Sequence, residues 1–271
     1  MVRAETDGSE HGPVLTVAAQ IEKLLAGDAS ERYYAAWWLG RVRAQESVTA
    51  LIDALGYAED RTPTGAYPVR RNAARALGKL QDPEAIPALS QSLQTGDALL
   101  SAAVVQALGA IAQDHPEHQV AVGQRLLQEL PPLQAIDPAA APVDGLLESL
   151  IESLGDLKYL AAVDTVTSYQ QHPSVRVRCA AARAGYRLTQ DPACVEPLLV
   201  VLQDENIHLR RAALLDLGAS GYLQGANAIA AAPVETNIKL LALKALLDGH
   251  LPQDPIPAAV LPVLAMLDDL I

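Results

Sequence analysis

The sequence predicts an all-α fold: an α-solenoid of about six to seven helix pairs. Three observations carry this. Ala and Leu dominate the 50% apolar residues while β-branched residues are sparse, which favours helix over sheet. One helical segment recurs along the chain and ends each time in glycine. The segments that join the copies carry the same helix-starting signal. Such internal repetition marks an array of two-helix units that bury their apolar faces only by stacking on one another.

The chain opens on a polar stretch, Met1 to Pro13, with Glu5, Asp7 and Glu10 and no basic region ahead of an apolar run. It does not read as a signal peptide. We expect residues 1–13 to be a flexible segment, residues 14–271 to form a single domain, and the protein to work in the cytoplasm. No apolar run approaches the roughly 20 residues that span a bilayer. A formal net charge of −12 argues against a nucleic-acid binder, which needs basic surface to neutralise phosphates.

The first copy of the repeat is Tyr33 to Gly40 (YYAAWWLG). Arg71 to Gly78 (RNAARALG) is the second, Ala102 to Gly109 the third and Glu148 to Gly155 the fourth. Arg178 to Gly185 (RCAAARAG) and Arg211 to Gly218 (RAALLDLG) follow, and a degenerate copy runs from Lys239 to Leu246. Successive glycines lie 38, 31, 46, 30 and 33 residues apart, as expected for units of about 30 residues with occasional insertions. In Gln81-Asp82-Pro83 and Gln190-Asp191-Pro192 an Asp cap precedes Pro at the first helical position. Apolar first helices follow, from Ile86 to Leu93 and from Val195 to Leu202. Two insertions interrupt the period: Gly56 to Pro68, with Tyr57, Asp60, Arg61 and Tyr67, and the Ala/Pro-rich Pro131 to Val143. Long loops on a rigid array often carry function.

Motifs for metal or nucleophilic chemistry are missing. Cys179 and Cys194 are the only cysteines and form no CxxC pair, so both read as packing residues. The six histidines are scattered, and no HExxH, P-loop, GxGxxG or GxSxG occurs.

The chemistry concentrates instead between residues 32 and 79. Both tryptophans, and six of the ten aromatics, fall between residues 33 and 67. Residues 32–79 also carry a local charge of +4 on an otherwise acidic chain. Aligned on the glycine, Trp37 stands where other copies have Arg75, Gln106, Glu152, Ala182 and Leu215. Trp38 stands for Ala76, Ala107, Ser153, Arg183 and Asp216, and Tyr33 for Arg71, Ala102, Glu148, Arg178 and Arg211. Ala35, Ala36 and Leu39 hold the core positions. The aromatics therefore replace polar residues on faces that other units expose. Two readings stay open: packing under the N-terminal segment or a partner chain, or stacking of a flat, conjugated, anionic ligand. Its carboxylates would meet Arg70 and Arg71 at a helix N-terminus. Arginines of such repeats also bond to acidic residues in neighbouring turns, and for Arg71 that reading has an equal claim.

The alternation of helices and the R-x-A-A-x-A-L-G helix resemble HEAT repeats, which implies a right-handed α-solenoid with a concave face lined by the second helix of each pair. Tyr33 to Leu39 (YYAAWWL) and Asp60 to Leu80 (DRTPTGAYPVRRNAARALGKL) are similar to the E subunit of the E/F-type phycobilin lyases. That resemblance implies an enzyme active as a heterodimer with an F-type HEAT-repeat subunit. Its reaction attaches phycocyanobilin through a thioether to a cysteine of the phycocyanin α subunit. Bilin is then a substrate, with no tightly bound cofactor, and the acceptor protein supplies the thiol. It implies that Tyr33, Tyr34, Trp37, Trp38, Arg61, Arg70 and Arg71 hold the bilin, and that Asp60 and Tyr67 serve proton transfer. A sister E subunit serves phycoerythrocyanin, and the sequence separates the two poorly. A non-catalytic HEAT scaffold for phycobilisome assembly is the competing class, because fold alone never proves function.

Overall fold

The computed structural model describes residues 15–94, 96–135, 144–251 and 257–270. The expected flexible segment 1–13 and the stretch 136–143 of the second insertion lie outside them. Among the described residues there are fifteen α-helices and no strand. The first helices of the pairs are α1 (Val17–Ala26), α3 (Val48–Ala54), α5 (Ile86–Ser92), α7 (Pro116–Glu129), α9 (Val163–Ser168), α11 (Glu196–Val201) and α13 (Ala226–Ala231). The second helices are α2 (Ala29–Val42), α4 (Pro68–Leu80), α6 (Ala98–Asp114), α8 (Asp144–Asp156), α10 (Val175–Thr189), α12 (Ile207–Ser220) and α14 (Thr236–Asp248). A lone α15 (Leu261–Leu270) closes the array. Seven pairs meet the expected count.

Local chemistry sets the helix ends as expected. Asp82 accepts from the Glu84 N–H and Asp191 from the Ala193 N–H, each beside a proline at the first helical position. Behind α2, α4, α10 and α12 the chain turns through a left-handed residue, Arg43, Gln81, Gln190 or Gly221. The first insertion runs from the end of α3 to Pro68, the first residue of α4.

Each second helix packs extensively on the next, whereas the first helices touch one another sparsely. The second helices thus line the inner, tighter face of the solenoid. Small residues make that tightness possible. A Cβ on Gly78 would lie 2.8 Å from Ala107 Cα, and one on Gly155 would lie 2.6 Å from Ala184 Cα. Each glycine faces a small residue of the following helix.

That contact corrects the alignment at one copy. A Cβ on Gly185 would meet Cys194 Sγ at 3.2 Å and no second helix. Ala184, not Arg183, packs on the preceding glycine as Ala76 and Ala107 do. Arginine contacts give the same register. Arg32, Arg70, Arg178 and Arg210, each eight residues before the glycine position, donate to backbone carbonyls preceding their own helix. The glycine position of α10 is therefore Tyr186, whose ring packs edge-on against Tyr222 at 5.2 Å. The counterpart of Trp37 on α10 is Arg183, that of Trp38 is Ala184 and that of Tyr33 is Cys179. The glycine at 185 had offered a false anchor one residue early.

The apolar interior divides at α10. Ala180, Ala181 and Ala184 belong to the cluster that begins at Leu24, and Cys179 and Ala182 to one that ends at Val263. Both cysteines are buried and free, as expected of packing residues, and burial pushes the Cys179 thiol up to about 12.

Candidate functional site

Helix α2 begins with a capping box in which Asp28 and Glu31 bond each other's backbone N–H groups. Ala35, Ala36 and Leu39 are fully buried, as the repeat requires. The four aromatics then divide. Tyr33 and Trp38 are half-buried and pack on the core, whereas Tyr34 is 64% and Trp37 45% exposed. The counterparts of Trp38 on α4, α6, α8 and α10 are the small residues that press on the preceding glycine. Among the described residues no second helix precedes α2, which leaves room for a tryptophan there. Trp38 is explained by packing at the end of the array. Trp37 is not.

Trp37 stands between two clefts. One, of about 320 Å³, lies between α1 and α2 and is lined by Leu15, Gln20, Lys23, Tyr34, Trp37 and Trp38 among others. The other, of about 330 Å³, lies between α2 and α4 and is lined by Tyr33, Ala36, Trp37, Gly40, Asn72, Arg75, Ala76 and Lys79. The Arg41 guanidinium sits 5.5 Å from the centroid of the Trp37 ring, within range of a cation–π contact. An indole with open space on two sides and cations at its edge can stack a flat anionic molecule.

The insertion residues form a separate group. Asp60 Oδ2 accepts from the Val69 N–H at 2.7 Å and so caps α4, while its Oδ1 is buried without a hydrogen-bond partner among the described residues. Arg70 donates to the carbonyls of Tyr57 and Gly56. The Tyr67 ring lies against two guanidinium groups, Arg70 at 4.2 Å and Arg61 at 5.9 Å, and its N–H donates to Asp97. These contacts order the loop and its entry into α4. Arg71 keeps a buried Nε without a hydrogen-bond partner among the described residues. Asp60, Arg61, Tyr67, Arg70 and Arg71 line neither of the two clefts. Arg75 and Lys79, which sequence reasoning counted only as local charge, line the second. Their signal was available: Arg75 occupies the row of Trp37, and Lys79 lies one turn beyond it.

A second polar cluster lies further along the inner face. Arg183 contacts Asp156 at 2.9 Å, Glu152 at 3.4 Å and Asp216 at 3.8 Å, and Arg187 Nε lies 2.9 Å from Asp156. Burial, reinforced by the nearby Glu152 carboxylate, pushes the Asp216 carboxyl up to about 7 although Arg183 opposes the shift. Burial also raises Glu152. Among the described residues no group of His, Cys, Asp and Glu is placed to hold a metal ion.

A family model described as HEAT repeats matches residues 18–109 and 64–129. The chain is 43% identical to the phycocyanobilin lyase subunit alpha of a Nostoc species, over 90% of this chain and 88% of that protein. It is 40% identical to the bilin biosynthesis protein PecE of Mastigocladus laminosus, over 89% of this chain and 85% of that one. In the solved complex of CpcE and CpcF of phycocyanin lyase from Nostoc, one chain shares 41% identity and a TM-score of 0.83, with both chains covered in full.

Proposed function

The chain belongs to the HEAT-repeat family of phycocyanobilin lyase alpha subunits, and from that premise we propose how it works with an F-type partner to join phycocyanobilin to a cysteine of the phycocyanin α subunit. Membership rests on relatives of 43% and 40% identity that span about nine-tenths of the chain. The reaction adds the acceptor thiol across the exocyclic ethylidene double bond of the bilin. A C–S bond forms at the outer carbon, and a proton ends on the ring carbon. The lyase contributes no nucleophile. Its task is to hold an extended tetrapyrrole so that one carbon meets one thiol, and orientation alone lowers such a barrier by several kcal/mol.

The observation that carries the reading is Trp37. It occupies a row filled elsewhere by charged or polar residues or leucine, stays 45% exposed, and walls two clefts. We assign it the stacking of the bilin plane, with Tyr34 extending the same surface and Tyr33 and Trp38 supporting it from the core side. Asp60, Arg61, Tyr67 and Arg70 order the insertion and the start of α4. Among the described residues no helix is long and apolar enough to cross a membrane, and we place the reaction in the cytoplasm.

The experiment is direct. The chain, its F partner, phycocyanobilin and the apo-α subunit of phycocyanin are mixed, and a covalent blue adduct is sought on a denaturing gel. An adduct that needs both subunits supports the lyase. Its absence under conditions in which both subunits are folded favours the scaffold. A parallel reaction with the phycoerythrocyanin α subunit tests the sister assignment.

A further inference from the structure

Two rows of side chains run along the inner face, three residues before each glycine position and one residue after it. On α8 they hold Glu152 and Asp156, and on α10 Arg183 and Arg187. There the arginines of one helix meet the carboxylates of the helix before it, with contacts of 3.4 Å to Glu152 and 2.9 Å to Asp156. On α4 the same two positions hold Arg75 and Lys79, one helical turn apart on a single face. The helix before α4 offers no acid in these rows, only Trp37 and Arg41. Among the described residues neither Arg75, Lys79 nor Arg41 forms an ion pair. The array thus repeats a motif built for two carboxylates and leaves the carboxylates out.

We propose that the cleft between α2 and α4 is a dicarboxylate-binding site in which Arg75 and Lys79 take the two propionates of the bilin, an assignment that rests on the lyase reading. The cleft measures about 330 Å³, and Ala36, Gly40 and Ala76 leave its floor free of bulk. Trp37 forms one wall, so a tetrapyrrole stacked on it turns its carboxylate edge towards α4. The Arg75 guanidinium suits a bidentate carboxylate, and the Lys79 ammonium acts as a point charge beside it. Arg70 spends its Nε and one Nη2 hydrogen on the carbonyls of Tyr57 and Gly56 and lines neither cleft, so it does not face this site.

The test compares phycocyanobilin with its dimethyl ester, whose propionates carry no charge. Binding of each is titrated into the complex of this chain with its F partner, by the change in bilin absorbance. Wild type should prefer the free acid by roughly tenfold to a hundredfold, the range of one or two charge-assisted hydrogen bonds. The Arg75→Ala/Lys79→Ala complex should bind both forms with equal, ester-like affinity and an unchanged melting temperature. Retained preference for the acid in that variant, while wild type still transfers bilin to the α subunit, overturns the site and leaves the lyase reading intact. A wild-type complex that binds neither form and transfers nothing overturns both.

Discussion

Gly40 and Ala76 bring α2 and α4 so close that a Cβ on Gly40 would lie 2.7 Å from Ala76 Cα. The closest obstacle is backbone and Cβ, not the far end of a flexible side chain, so it cannot swing away. Gly40→Val should force the first two units apart at a cost of roughly 1–3 kcal/mol or more. The check is thermal or urea denaturation, with a lowered midpoint expected. Because Gly40 also floors the α2–α4 cleft, bilin binding should weaken in the molecules that remain folded.

Arg70 and Arg71 are neighbours in sequence with different commitments. Arg70→Ala leaves the carbonyls of Gly56 and Tyr57 without their donor and should cost about 1 kcal/mol or more of stability. Its discrimination between free bilin and the dimethyl ester should survive. A melting temperature equal to wild type would contradict the anchoring role.

Asp60 caps α4 through the Val69 N–H. Asp60→Asn keeps a side-chain acceptor, whereas Asp60→Ala removes it at a cost of about 1 kcal/mol. The alanine variant should melt earlier and the asparagine variant close to wild type, with bilin transfer by the asparagine variant preserved. Lost transfer with unchanged melting would return Asp60 to the role of acid.

The Asp216 carboxyl, held at about 7 in the folded chain against 3.8 for the free side chain, sets a pH dependence. Between those values the folded state keeps a proton that the unfolded chain releases. Its contribution therefore falls as pH rises through that window and levels off above it, on the order of 1 kcal/mol per pH unit. The groups facing it are Glu152, Glu148, Arg183 and Arg176. Asp216→Asn should remove this slope. The stability of the variant relative to wild type should increase between about pH 5 and about pH 8, measured by denaturation at each pH. A constant difference would show that Asp216 titrates normally.

How much was legible beforehand differed between fold and site. The array, its six to seven pairs, the Asp82 and Asp191 caps and the long entry to α4 follow from periodicity and turn chemistry, which act over a few residues. The register at α10 did not, because the requirement for a small residue comes from a helix some 30 residues away in the sequence, and Gly185 supplied the wrong landmark. The exposure of Trp37 was correctly separated from the buried Ala35, Ala36 and Leu39 by comparing copies. Trp38 was not, since its burial depends on what stands before α2, where no second helix lies among the described residues. Arg70 and Arg71 were read as carboxylate partners, and only folding shows that Arg70 donates to the Tyr57 and Gly56 carbonyls while Arg75 and Lys79 line a cleft.

The most direct measurement is covalent bilin transfer by Trp37→Ala in complex with the F partner, alongside its melting curve. Loss of a stacking contact of roughly 1–3 kcal/mol predicts a fall of about tenfold or more in transfer rate, with melting unchanged because Trp37 lies outside the core. Transfer at the wild-type rate would contradict the account.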